Sequence, residues 1–179
     1  MEIRIYFEGD PALKEGFHAF FGAIVSATRE QSGRIRFIAG KARARDDFRR
    51  ATRVHPDAWN VLLIDSEGEP DSNDRDGQTF WMVQCMESWF LADKDTLEAY
   101  YGERFRRNAL PANPDVERIP KKDVIDGLAA ATRQTGKGEY HKTRHAAQLL
   151  RLIRPDRVRS AAQNCERFFA AALARLPSP

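Results

Sequence analysis

The chain has 179 residues, enough for one ordinary domain that buries roughly 68–70% of its unfolded surface. With 42% hydrophobic and 31% charged residues it has a globular composition, which excludes global disorder. Two distant cysteines, Cys85 and Cys165, exclude a disulfide scaffold and a Cys-rich zinc site, and no apolar run is long enough to span a bilayer. No signal peptide is recognisable either, so a cytoplasmic protein is expected. The net charge of +3 conceals a strong pattern: residues 29–53 sum to +6, residues 65–77 to −5 and residues 121–175 to +7. Such a pattern fits either solvated helices beside a soluble acidic loop, or an acidic metal-binding centre between phosphate-binding surfaces.

In chain order, Ile3–Phe7 alternates as a strand and ends at Glu8-Gly9-Asp10-Pro11, where Asp10 and Pro11 read as the N-cap and first residue of a helix. Leu13, Phe17, Phe20, Phe21, Ile24 and Val25 keep a helical period until Ser32-Gly33. Arg34–Ala39 predicts a second strand, Lys41–Arg53 a basic helix, and Asn60–Asp65 a strand apolar enough to be buried on both faces. Residues 66–78 read as a polar loop, Thr79–Met86 as a fourth strand, and Glu87–Leu91 with Thr96–Tyr101 as short helices. Asp123–Arg133, His141–Ile153 and Ala161–Leu176 read as helices. Two strand–helix steps followed by a buried strand predict an α/β fold with a mostly parallel sheet flanked by helices and a C-terminal helical subdomain. The expected organisation is an α/β core over residues 1–120 and a basic helical region over 121–179, packed as one unit.

Three groups of residues are candidates for chemistry. Glu8 ends the first strand, and Asp65 and Glu67 end the third; the carboxyl ends of parallel strands border the crevice where ligands bind. Carboxylates brought together repel one another unless a proton or cation intervenes, and Mg²⁺ or Mn²⁺ suits all-oxygen ligands, so these three are the expected metal ligands. A single acid after a strand is otherwise an N-cap or a solvated loop residue. Glu87 interrupts the apolar block Met82–Asp93, as either a core-edge acid or a fourth member of the cluster, while Trp89 and Phe90 read as core and Asp93 as a helix cap. Tyr140, His141, Lys142 and Arg144 stand at a helix start, with Lys121 and Lys122 upstream. They form either a solvated basic helix end or a phosphate-binding set of Lys122, His141 and Arg144, with Lys142 placed to offset charge in a phosphoryl transition state. Cys85 reads as an inert buried thiol, and no nucleotide-binding P-loop or Rossmann glycine pattern is present.

The segments FEGD (7–10), LLIDSE (62–67), MVQCMESWFLAD (82–93), YYGERF (100–105), KDV (122–124), YHKTRHAAQLL (140–150) and RFF (167–169) resemble the bacterial family of unknown function numbered 4276, over nearly the whole chain. Such proteins look like Toprim domains, the metal-binding fold of primases, topoisomerases and certain nucleases, and are similar to effectors encoded beside ATPases in phage-defence islands. The resemblance implies a metal-dependent nuclease acting on DNA or RNA, with Glu8, Asp65 and Glu67 matching the Toprim glutamate and D-x-D acids and an ATPase partner encoded nearby. Glutamate at position 67 departs from that pattern by one methylene. The alternative is a non-catalytic subunit that binds nucleic acid or an ATPase. The sequence leaves the oligomeric state open, a homodimer included.

Overall fold

The computed structural model describes residues 1–67 and 77–176. Glu69, Asp71, Asp74 and Asp76, which supply most of the acidic run, lie outside the described residues. Four parallel strands, β1 (Glu2–Phe7), β2 (Arg34–Ala39), β3 (Trp59–Asp65) and β4 (Thr79–Met82), form one sheet in the order β2-β1-β3-β4. Phe7 pairs with Leu63 and Asp65 with Met82, so Glu8 and Asp65 leave the same edge of the sheet from adjacent strands. The chain runs outward from β1 to β2 on one side and to β3 and β4 on the other, which puts the crevice between β1 and β3.

Alternation along the strands assigns the two faces. Ile3, Ile5, Phe7, Val61, Leu63, Phe80 and Met82 enter the large core, while Tyr6, Leu62, Ile64 and Trp81 enter a smaller one beneath α3 (Ala44–Val54). The large core is covered by α1 (Leu13–Phe20), α2 (Gly22–Glu30) and the later helices α4 (Ser88–Leu91), α5 (Lys94–Tyr101), α6 (Lys121–Thr132), α7 (Lys142–Leu152), α8 (Pro155–Ala161) and α9 (Gln163–Ala174). Its cluster runs from Ile3 to Leu176 without a break near residue 120. Trp89 is fully buried in it and stacks on Phe20 with ring centroids 5.0 Å apart. Among the described residues no helix is long and apolar enough to cross a membrane.

Several boundaries differ from expectation, each for a local reason. The helix expected to begin at Pro11 begins at Leu13, because the Asp10 carboxylate accepts from the Ala12 N–H in a turn that precedes it. It also divides at Phe21. Consecutive residues of a straight helix point about 100° apart, yet Phe20 and Phe21 are both fully buried, so the break allows both rings to enter the core. The fourth strand stops at Met82 instead of Met86, since the Gln84 carbonyl accepts from Glu67 N–H and its side-chain oxygen from Lys121 N–H. The stretch between the last two expected helices forms a short helix of its own, α8, opened by Pro155, and the last helix begins at Gln163 instead of Ala161.

The contact that positions the C-terminal helices is α7 on α1. A Cβ at Gly16 would lie 2.8 Å from the Ala147 carbonyl oxygen and 2.9 Å from Leu150 Cβ, so the helices meet where only glycine fits. This packing carries the start of α7 to the carboxyl edge of the sheet. Gly16→Ala forces the helices apart and is expected to lower stability by about 1–3 kcal/mol, an overpacking cost that urea unfolding measures.

Candidate active site

Asp65 is the last residue of β3 and is largely buried. Its Oδ1 accepts from the Met86 N–H at 2.8 Å, which fixes the carboxyl group against the turn after β4. Two residues after Cys85, Glu87 is withdrawn almost completely from solvent, with 2% of its side chain exposed. Both acids face one ammonium: Lys142 Nζ lies 3.3 Å from Glu87 Oε1 and 3.7 Å from Asp65 Oδ2. Tyr140 Oη donates to Glu87 Oε1 at 3.1 Å.

Electrostatics follow from this arrangement. Burial pushes the Asp65 carboxyl up to about 6; Lys142 opposes that rise and Glu87 reinforces it. Burial alone would lower the Lys142 ammonium, but the carboxylates of Glu87 and Asp65 raise it above its ordinary value, so Lys142 stays charged at neutrality. The Tyr140 phenol is raised by burial and by Glu87 and stays protonated. Two carboxyl groups thus face a single permanent positive charge, with one tyrosine as hydrogen-bond donor.

The start of α7 is held by a residue without a role in the sequence reading. His145 is buried, and its Nδ1 accepts from the His141 N–H at 3.1 Å and lies 3.2 Å from Tyr101 Oη. As a double acceptor Nδ1 carries no proton, and burial, Arg144, His141 and Lys137 all lower the ring's affinity for one. A neutral histidine therefore aligns the turn that presents Lys142. The helical spacing that brings residue 141 above residue 145 is visible in sequence, but the burial that makes His145 structural is tertiary.

The structure brings together Asp65, Glu87 and Lys142 from the sequence-derived set. Glu8 is exposed on the neighbouring strand end, its N–H 3.4 Å from the Leu63 carbonyl. Glu67 adopts a left-handed backbone, φ 55°, and its Oε1 pairs with Lys121 Nζ at 2.7 Å, which lowers its carboxyl. Lys122 pairs with Asp126 on its own helix, so Lys121 is the residue that reaches a strand-end acid. His141 and Arg144 are exposed, and His141 Nδ1 lies 2.9 Å from Thr143 Oγ1. Cys85 is fully buried and its thiol is pushed up to about 11 by burial, as an inert cysteine requires. Among the described residues no three His, Cys, Asp or Glu side chains are grouped as a metal ion needs.

A family model described as a domain of unknown function (DUF4276) matches residues 10–171. No curated protein and no solved structure gives a match.

Asp65 is bound to its proton more firmly in the fold than in the unfolded chain, since its value rises from 3.8 to about 6. The associated stability is fully present below the unfolded value and is lost as pH rises through about 6. Comparing urea unfolding of wild type and Asp65→Asn between those two values, the wild type is expected to lose stability relative to the variant as pH rises. Parallel pH profiles would contradict the assignment.

Proposed function

The chain belongs to the DUF4276 family, and from the geometry of its site together with the resemblance of its motifs to Toprim-like defence effectors we propose that it is a Toprim-like enzyme that hydrolyses phosphodiester bonds of nucleic acid with a divalent cation, in the service of phage defence. The observation that carries this reading is the pair of buried acids, Asp65 and Glu87, converging on Lys142 at the carboxyl edge of a parallel sheet.

The donor chemistry suits Mg²⁺ or Mn²⁺. Asp65 and Glu87 offer hard oxygen ligands and outnumber their single permanent counter-charge, so the cluster can accept more positive charge. Asp65 and Glu87 would hold the ion; Glu8 stands on the adjacent strand end and Glu67 is paired with Lys121, so among the described residues neither is grouped with the pair. A bound divalent ion supplies Lewis acidity at a phosphoryl oxygen.

The chain's own groups account for the remaining chemistry. Asp65 Oδ2, which is not occupied by the Met86 N–H, is the oxygen placed to take a proton from the attacking water. As the new P–O bond forms, the opposite P–O bond breaks and the leaving oxygen takes a proton from solvent. Lys142 Nζ remains protonated and faces the negative charge that grows on the phosphoryl oxygens. Tyr140 fixes Glu87, while the basic surface of residues 121–175 attracts the nucleic-acid backbone.

A second reading draws on one observation: the Lys121–Glu67 pair removes one expected ligand from the set. In that reading the chain binds nucleic acid or an ATPase without catalysis. One experiment separates the two. Mg²⁺ and Mn²⁺ are titrated against DNA and RNA with wild type, Asp65→Asn and Glu8→Gln. Cleavage is expected in wild type and should fall by at least roughly 10²-fold in Asp65→Asn, the contribution of a general base. Unchanged cleavage in both variants would exclude the proposed site, and salt-sensitive binding without cleavage would favour the second reading.

A further inference from the structure

Beside the carboxylate pair lies a cavity of about 250 Å³ that shares only Lys142 with the hydrolytic chemistry. Three separate pieces of chain enclose it. The turn between β1 and α1 contributes Asp10, Ala12 and Leu13; the turn after β2 contributes Lys41; the first turns of α7 contribute Lys142, Thr143 and Ala147. The volume equals that of roughly eight waters, which accommodates a pentose with its phosphate. Two lysines from different elements reach the cavity against apolar walls of Ala12, Leu13 and Ala147. Asp10 also lines it, with its Oδ1 held by the Ala12 N–H.

The turn that delivers Lys41 is strained in a way its surroundings require. Gly40 packs so closely on the next helix that a Cβ would lie 2.4 Å from Ala44 Cα. Lys41 follows in the left-handed region at φ 44°, a conformation that L-residues other than Asn and Asp rarely adopt. Among the described residues Lys41 makes no ion pair, whereas Lys142 is shared between the cavity and the two acids. Strain held at a cation beside a candidate active site is the pattern of a ligand-binding position.

We propose that this cleft is a nucleotide subsite: Lys41 holds the phosphate of a nucleotide flanking the scissile bond, Lys142 stands between that phosphate and the scissile one, and the Ala12, Leu13 and Ala147 walls receive the attached sugar. The inference rests on the phosphodiester reading above and refines it, because Lys142 links the subsite to Asp65 and Glu87. It implies that the enzyme engages the phosphate of a nucleotide flanking the scissile bond.

Binding to the full chain is measured calorimetrically in EDTA for a nucleoside 5′-monophosphate, the corresponding nucleoside and inorganic phosphate. Lys41→Asn removes the charge but tolerates the left-handed backbone, and Ala12→Phe fills the cleft from an exposed position. The nucleotide is expected to bind at least about tenfold more tightly than the nucleoside or inorganic phosphate, and each variant should weaken it by roughly tenfold, the loss of one charge-assisted contact or of the sugar's space. Equal binding of nucleotide and nucleoside, inorganic phosphate binding as tightly as the nucleotide, or unchanged binding in both variants would overturn the subsite. Because EDTA removes divalent ions, a failure of metal-dependent cleavage leaves this measurement intact, and the two failures are distinguishable.

Discussion

The ammonium of Lys142 is the constraint around which the site is organised. A carboxylate withdrawn from water costs several kcal/mol unless it is compensated, and a neutral hydrogen bond such as that from Tyr140 contributes only about 0.5–1.5 kcal/mol net. The Tyr140 hydrogen bond alone does not offset such a cost at Glu87, and the Lys142 ammonium 3.3 Å away adds the opposite charge. Lys142 also faces Asp65, so one side chain contacts both acids and ties the end of β3 to the start of α7.

That placement depends on packing far from the charges. The close approach of α1 and α7 at Gly16 sets the height of α7 against the sheet, and the neutral His145 ring sets the turn from which Lys142 departs. The aromatic cluster of Phe20, Phe21, Trp89, Phe168 and Phe169 joins α1, α2, α4 and α9 into one body, so neither half of the chain can shift without disturbing the other. A second charged contact works in the same way: the fully buried Asp93 side chain caps α5 and pairs with Arg154 at 2.6 Å. Bonds from Arg154 and Thr96 outweigh the burial that would raise its carboxyl and hold it at about 2.

Much of this was legible in the sequence where a local pattern carries it. Alternation marked β1, the unbroken apolar run marked β3, and the carboxyl-edge logic placed Glu8 and Asp65 at strand ends, which the sheet order then makes neighbours. The Asp93 cap and the core position of Trp89 were also readable. What escaped depends on contacts distant in sequence. Glu87 stood between two readings because its partners, Tyr140 and Lys142, lie more than fifty residues away. Lys121 and Lys122 are indistinguishable as letters, yet adjacent helical positions point about 100° apart, so only one meets Glu67. The division at Phe21 likewise arose from two aromatic residues competing for one interior.

The distance along the chain between the acids and their lysine bears on how the protein matures. During synthesis from the N-terminus, β1, β3 and the Glu87 segment emerge long before Lys142, and domains assemble as their segments become available. Until α7 docks against α1, both acids lack Lys142 and the cleft lacks the lining that α7 supplies. Assembly of the carboxylate–lysine cluster is therefore the same event as closure of the fold, and a partly synthesised chain carries the acids without their counter-charge.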